Sequence, residues 1–137
     1  MGARRLGRER ALQALYALEL NPMNPAWFMG TFWENNPAPA DVRTFAGQLI
    51  EGVISHREDL DALIKSKAQH WALSRMALVD LNLIRLAAYE LLYRDDIPKK
   101  VIINEAVEIA KKFGSEDSAA FVNGILDELP VPEGKSP

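Results

Sequence analysis

The sequence predicts an all-α fold of six or seven helices. Apolar residues recur every three or four positions along most of the 137 residues, which is the spacing of amphipathic helices. The strict alternation of apolar and polar residues that is typical of strands is almost absent. Proline, glycine and small polar residues divide the chain at intervals that suit helix ends. A chain of this length supports one domain, or two small subdomains that share a core.

The N-terminal half contains helical patterns of unequal regularity. The first predicted helix runs from about Arg4 to Leu20 and ends at the following Asn-Pro pair. Residues 22–40 are irregular but contain four aromatic side chains, so we expect a short helical turn packed on the core. Asp41 is expected to cap the next helix, and a shorter helix is expected around Leu60 to Lys67.

The C-terminal half predicts three further helices. Ser74 is expected to cap a long helix that continues to about Tyr93 and is apolar on several sides, as in a central helix. The next helix is expected to stop at Gly114, in the left-handed conformation common after helix ends. Ser115 is expected to cap the last helix, whose acidic start suits the positive end of its dipole.

The charge is unevenly distributed. The formal net charge is −3, which argues against general coating of nucleic acid. The first ten residues nevertheless carry Arg4, Arg5, Arg8 and Arg10 against the single acid Glu9. Arginines at the start of a helix oppose its dipole, so either they form a solvated helix end or they bind phosphate. A mildly acidic body with a basic end is typical of specific RNA binding.

The sequence indicates neither export nor membrane insertion. The chain contains no cysteine, which excludes disulfides and cysteine-based metal or nucleophilic sites. No signal peptide follows the N-terminal arginines, and no apolar run approaches the roughly 20 residues that a membrane span needs. We therefore expect a cytoplasmic protein.

Reactive residues do not converge in the sequence. His56 and His70 lie in different predicted elements, and neither belongs to an HxxxH or ExxH pair. The adjacent acid pairs suit turns and helix starts, because neighbouring side chains on a helix diverge by about 100°. No glycine-rich phosphate loop is present. We therefore expect no catalysis and no cofactor.

Two aromatic residues lie at the edges of apolar stripes. Tyr16 lies roughly 110° from the centre of the stripe on the first helix, and Phe121 about 90° from that on the last. Such rings either pack at the boundary of the core or stack on bases of single-stranded RNA beside a basic groove. Lys99 and Lys100, which precede one helix, would extend that groove.

Three sequence blocks together carry a family resemblance. They occupy residues 8–16, 84–91 and 98–126, and the last contains Asn104-Glu105-Ala106 and the run FVNG at 121–124. In this order they resemble the NusB family of bacterial transcription antitermination factors. Residues 21–40 match poorly, in a region that varies within the family.

The resemblance implies a fold and a set of partners. The fold would consist of two packed helical bundles, over residues 1–70 and 71–130, followed by a tail over 131–137. The family binds single-stranded boxA RNA jointly with a small-subunit ribosomal protein, known in this role as NusE. The complex joins the transcription elongation complex on ribosomal RNA operons.

Several site residues follow from the resemblance, position by position. Asp80 becomes a candidate contact for the ribosomal protein, and Glu105 is expected to play a structural role by pairing with a cation such as Arg85. The RNA site is expected at the following residues: Arg4, Arg5, Arg8, Tyr16 and Phe121, with Asp117 nearby.

Three other readings remain open at the level of sequence. The chain could be a protein-interaction module, or a homodimer that covers its arginine-rich end. It could also be a detached RNA-binding part of a ribosomal RNA methyltransferase, although it lacks the nucleophilic cysteine of that enzyme. A helix-turn-helix DNA-binding protein is disfavoured by the acidic start of the last helix.

Overall fold

The computed structural model describes residues 2–68 and 72–137. Over these residues the chain forms seven α-helices, one short 3-10 helix at Leu73–Arg75 and no strand, which confirms the predicted all-α class. None of the described helices is long and apolar enough to cross a membrane. The α-helices in chain order are α1 (Ala3–Leu20), α2 (Pro25–Asn35), α3 (Ala40–Ser55), α4 (Arg57–Ala68), α5 (Leu78–Tyr93), α6 (Lys99–Phe113) and α7 (Ser118–Glu128).

Helix α5 is the centre of the molecule, as its apolar pattern predicts. It packs against α1, α3, α4, α6 and α7, and most of its side chains are buried. One hydrophobic core continues from α1 to α7. The expected boundary between two bundles falls at residues 69–71, outside the described residues, so the division into bundles stays a prediction.

Side-chain pairs fix the relative directions of the helices that carry the candidate site. Arg8 pairs with Glu90 and Glu19 pairs with Arg85, so α1 and α5 run antiparallel. Arg5 pairs with Glu105 and Glu9 with Lys112, so α1 and α6 run parallel. The C-terminal ends of α1 and α6 therefore lie at the same end of the molecule as the N-terminal end of α5.

The N-terminal half corrects three details of the prediction. Residues 22–40 contain a full helix, α2, because the Asn24 side chain accepts hydrogen bonds from the backbone N–H groups of Ala26 and Trp27 at 3.0 and 3.3 Å. Trp27 is 75% exposed and does not pack on the core as expected. Asp41 lies in the first turn of α3 and is not its cap, because the helix begins after Pro39.

The C-terminal half differs from the prediction at helix starts. Ser74 belongs to the 3-10 helix, and α5 begins four residues later at Leu78. Gly114 has φ −95° and is extended, not left-handed. A Cβ on residue 114 would lie 2.4 Å from the Ser118 Oγ. The glycine is therefore required because the Ser118 side chain packs directly against its Cα. Ser115 does not cap α7; its backbone N–H donates to the Ser118 Oγ at 2.9 Å.

The tail folds back onto the body. The Lys135 ammonium donates to the backbone carbonyls of Glu90 and Arg94 at the end of α5. The backbone N–H groups of Lys99 and Lys100, at the start of α6, donate to the carbonyls of residues 136 and 137 at 2.9 and 2.7 Å. The tail thus supplies partners to helix-end groups that lack intrahelical ones.

Candidate RNA interface

The predicted site residues divide between two ends of α1. Arg4, Arg5 and Arg8 lie on its first two turns, and Tyr16 lies 12 residues after Arg4, or about 18 Å along the helix axis. We call the first region the arginine end. The aromatic end is the region of Asp80, Asp117 and Phe121, which line one cavity, and Tyr16 lies on α1 toward the same end of the molecule.

Arg8 is a buried structural residue. Its Nε lies 2.9 Å from Glu90 Oε2 and its Nη2 lies 2.8 Å from Glu90 Oε1, a bidentate pair. Only 4% of the Arg8 side chain and 1% of the Glu90 side chain are exposed. A phosphate could reach Arg8 only if this pair opened. The expectation that Arg8 contacts RNA phosphate therefore does not fit the structure.

Arg5 is half-buried and is held by Glu105. Its Nε donates to Glu105 Oε1 at 3.0 Å and its Nη2 to Oε2 at 2.5 Å, while Arg8 approaches the same carboxylate at 3.6 Å. The hydrogen bond from Arg5 lowers the pKa of Glu105. Glu105 thus has the expected structural role, but its partners are Arg5 and Arg8; the expected partner, Arg85, instead binds Asp61 and Glu19.

Arg4 is the exposed arginine of this group. Its guanidinium lies 4.4 Å from the centre of the Phe45 ring, a cation–π contact that leaves its N–H groups available. It forms no hydrogen bond or ion pair with the described residues. Arg4 therefore supplies an exposed positive charge at the arginine end, which interacts electrostatically with Asp96 but forms no hydrogen bond with it.

Lys99 and Lys100 lie apart from the arginines. They line a shallow cavity of about 270 Å³ between α6 and α7, together with Asn104, Asn123 and Asp127 among others. Arg5 and Glu105 pack on the α1 side of α6. The structure therefore does not bring the two lysines into the same cluster as Arg4 and Arg5.

The aromatic end contains a small cavity of about 220 Å³. It is lined by Phe121 and Asp117 from the start of α7, Asp80 from the first turn of α5, and the segment Arg75, Met76 and Ala77 that leads into α5. Phe121 and Tyr16 are both half-buried, as their edge positions predict, and Phe121 packs in part against the core. Asp80 is buried, with 7% exposure, so little of it is available to a flat docking surface.

Sequence reasoning missed Arg75 and Arg94 near these regions, and it counted Arg10 only as part of the basic N-terminal end. Arg75 lines the cavity at the aromatic end. Arg94 lies 5.3 Å over the Phe45 ring and is held by Asp96 and Gln48. Arg10 donates to Gln13 and has no carboxylate within 4.0 Å in the described part of the chain. No local pattern marks Arg75, because the cavity that it lines also draws on α7, which is distant in the sequence.

The sequence predicts that neither histidine belongs to a metal or catalytic site, and the structure describes one of the two, His56. His56 Nδ1 donates to the Gly52 carbonyl oxygen at 2.9 Å, and the centre of its ring lies 4.0 Å from that of Tyr93, so it plays a packing role. His70 lies outside the described residues. Over residues 2–68 and 72–137, no group of three or more histidine or acidic side chains could hold a metal ion.

Comparisons with known proteins identify the family of the chain. The model of the NusB family matches residues 5–130. The chain is 52% identical over 135 residues to the transcription antitermination protein NusB of Myxococcus xanthus, with 96% of each chain covered. It is 52% identical over 130 residues to the same protein of Geobacter sulfurreducens, with 94% of each covered.

Solved structures share the fold. NusB from T. maritima superposes with a TM-score of 0.86 at 35% identity, covering 98% of this chain and 96% of the other. NusB from a crystal structure of the antitermination factors NusB and NusE in complex with dsRNA gives a TM-score of 0.82 at 27% identity, covering 93% and 95%. The family predicted from the sequence is confirmed: the chain belongs to the NusB family.

Proposed function

We propose that this chain is a non-enzymatic RNA-binding antitermination factor of the cytoplasm. It binds boxA-type single-stranded RNA jointly with the ribosomal protein NusE, within the transcription elongation complex on ribosomal RNA operons. The observation that carries the proposal is the family match over residues 5–130, together with a NusB relative solved in complex with NusE and RNA. The antitermination proteins named above match over 94–96% of their own lengths, which favours this role over that of a methyltransferase part.

The phosphates of the RNA backbone bind at the arginine end. Arg4 contacts phosphate, because its guanidinium is exposed and its contact with the Phe45 ring leaves its N–H groups available. Arg5 contributes less, because Glu105 already holds its Nε and Nη2. Arg8 acts indirectly, by fixing α1 against α5 through Glu90.

Bases stack at the aromatic end. The half-exposed rings of Tyr16 and Phe121 suit unstacked bases of a single strand, and a strand along the exposed side of α1 passes from Arg4 to Tyr16 over about 18 Å. Asp117 lies beside Phe121 at the rim of the cavity. Lys99 and Lys100 offer further phosphate contacts on the neighbouring face of α6.

The ribosomal protein docks beside the RNA on the side of the central helix. Joint binding raises the affinity for each partner, because two ligands that favour the same complex are linked reciprocally. The whole chain has a formal net charge of −3, which limits RNA binding by this chain alone and makes the partner important.

The test is binding of the full chain to a boxA-type RNA and to a scrambled RNA of equal composition, with and without purified NusE. We expect selective binding to boxA RNA that becomes tighter with the partner. Equal binding to the two RNAs in both conditions would contradict the proposal. Light scattering in the same samples separates the main alternative, since a homodimer that covers the arginine end dissociates or excludes RNA.

A further inference from the structure

Three arginines lie over one aromatic ring at the arginine end. The guanidinium carbons of Arg4, Arg94 and Arg8 lie 4.4, 5.3 and 5.4 Å from the centre of the Phe45 ring. All three distances are within the roughly 6 Å over which the electron-rich face of a ring attracts a cation. Phe45 belongs to α3 and is only 8% exposed, so one core side chain faces charges from α1 and from the end of α5.

The Phe45 ring packs directly on the backbone of the first helix. A Cβ on Gly7 would lie 2.7 Å from Cδ2 of Phe45, so a larger residue at position 7 would push the ring away. Arg4, Gly7 and Arg8 lie on one face of α1, because residues three and four positions apart are neighbours on a helix surface. The ring that rests on Gly7 is thereby brought beneath the side chain of Arg4.

The ring is the contact that directs the Arg4 side chain. Arg8 and Arg94 are each hydrogen-bonded to a carboxylate, which fixes their guanidiniums independently of the ring. Arg4 forms no hydrogen bond with the described residues and interacts with Asp96 through space only. Of the three guanidiniums, that of Arg4 therefore depends most on Phe45 for its orientation.

Such a contact prepares an exposed arginine to bind an anion. A free arginine side chain loses rotamer freedom when it binds phosphate, and this loss weakens binding. A guanidinium that already lies over a ring has lost part of that freedom, while its N–H donors remain available at its edge. We propose that Phe45 is a positioning residue for RNA binding, whose ring holds the Arg4 guanidinium in an orientation that donates to an RNA phosphate.

This inference rests on the proposed function, because the phosphate contact of Arg4 belongs to it. Phe45 is buried and acts on the RNA through Arg4, not by touching a base or a phosphate. A residue that only packs in the core depends on the shape of its ring, whereas a positioning role also depends on the charge distribution of the ring face. The two roles can therefore be separated by changing the charge distribution and keeping the shape.

The test replaces Phe45 by a phenylalanine that carries three ring fluorines, incorporated at this site alone in the full chain. Fluorine withdraws electron density from the ring face and weakens its attraction for a cation, with little change in ring size. Fluorescence anisotropy with a boxA-type RNA and NusE measures affinity. We expect fluorination of Phe45 to weaken RNA binding about threefold. In an Arg4→Gln background the same fluorination should change the affinity no further.

Two matched controls accompany the test. Fluorination of Phe32, a buried ring that stacks with Phe28 and Trp33 and has no cation over it in the described part of the chain, should leave RNA affinity unchanged. In an Arg5→Gln background, fluorination of Phe45 should still weaken binding about threefold, because Arg5 is held by Glu105 and not by the ring.

The outcomes separate this inference from the proposed function. If the unmodified chain selects boxA RNA but fluorination of Phe45 leaves its affinity unchanged, Phe45 only packs in the core and the proposed function stands. If fluorination weakens binding equally with and without Arg4, the ring does not act through Arg4 and the inference is wrong. If the unmodified chain does not select boxA RNA over the scrambled RNA, the proposed function is wrong and the inference fails with it.

Discussion

Arg8 and Glu90 form a buried, bidentate ion pair that joins the first helix to the central one. Their closest atoms, Arg8 Nη2 and Glu90 Oε1, are 2.8 Å apart, and neither side chain is more than 4% exposed. The two residues are 82 positions apart in sequence. This pair fixes α1, which carries both ends of the proposed RNA surface, against the centre of the fold.

Removing one member of this pair should destabilise the protein strongly. Glu90→Leu leaves the Arg8 charge buried without its main partner, and breaking a buried pair in this way typically costs roughly 3–5 kcal/mol. Urea unfolding measures the change. The double variant Arg8→Met, Glu90→Leu should recover most of the loss, because no charge is then left buried. A surface role for Arg8 would instead give an Arg8→Met variant with unchanged stability and weaker RNA binding.

Glu19 should make the fold sensitive to acid. Burial raises the pKa of Glu19, but hydrogen bonds from Arg85 and Arg57 outweigh burial and hold it below its ordinary value of 4.5. The stabilisation is therefore complete above pH 4.5 and is lost as the pH falls through the lower folded-state pKa. Glu19→Gln should lower stability at neutral pH by about 1–3 kcal/mol and flatten this acid dependence. Unfolding curves at several pH values test it, with the exposed Glu116→Gln as control.

Gly52 should not tolerate a side chain, although the neighbouring Gly47 should. A Cβ on Gly52 would lie 2.1 Å from Cζ of Tyr89, whose ring stacks with Tyr93 at a centroid distance of 5.4 Å. Gly52→Ala must displace this stack and should cost about 1–3 kcal/mol. Gly47 has no atom within 4 Å of the same position, so Gly47→Ala should stabilise α3 by up to about 1 kcal/mol. Thermal unfolding of both variants should give shifts of opposite sign.

Helix identity was predictable because apolar periodicity is a local property of the sequence. The positions of α1, α3, α6 and α7 follow from it to within a few residues. Helix starts were less predictable, because several residues compete for one capping position. Ser74 and Ser115 are both good caps by residue type, yet α5 and α7 begin four and three residues after them.

The arginines show a second limit of sequence reasoning. Arg4, Arg5 and Arg8 look equivalent in sequence, but the structure leaves one exposed, one half-buried and one buried. The burial of Arg5 and Arg8 depends on their carboxylate partners. Glu105 lies 100 positions after Arg5, and Glu90 lies 82 positions after Arg8. The cavity beside Phe121 escaped prediction for the same reason, since the late start of α5 places Arg75 and Met76 in its wall.

Arg4 should dominate the salt dependence of RNA binding. Each phosphate contact on a single strand contributes about 0.7 to the slope of log affinity against log salt concentration. Arg4→Gln should reduce the slope by about this amount, because the Arg4 guanidinium is exposed and is not hydrogen-bonded to an acid. Arg5→Gln should reduce it less, because Glu105 already binds that guanidinium. Binding titrations at a series of salt concentrations measure both slopes, and equal slopes for Arg4→Gln and the unmodified chain would remove Arg4 from the interface.

Phe121 should contribute to RNA binding through its ring and to folding through its apolar volume. Phe121→Leu keeps an apolar side chain against the core but removes the flat face on which a base stacks. We expect it to weaken binding to boxA-type RNA by roughly 1–3 kcal/mol with little change in unfolding free energy. Phe113→Leu, at another half-buried ring packed on the same core, is the matched control and should leave RNA affinity unchanged. Equal losses in the two variants, or a loss confined to stability, would assign Phe121 to core packing alone.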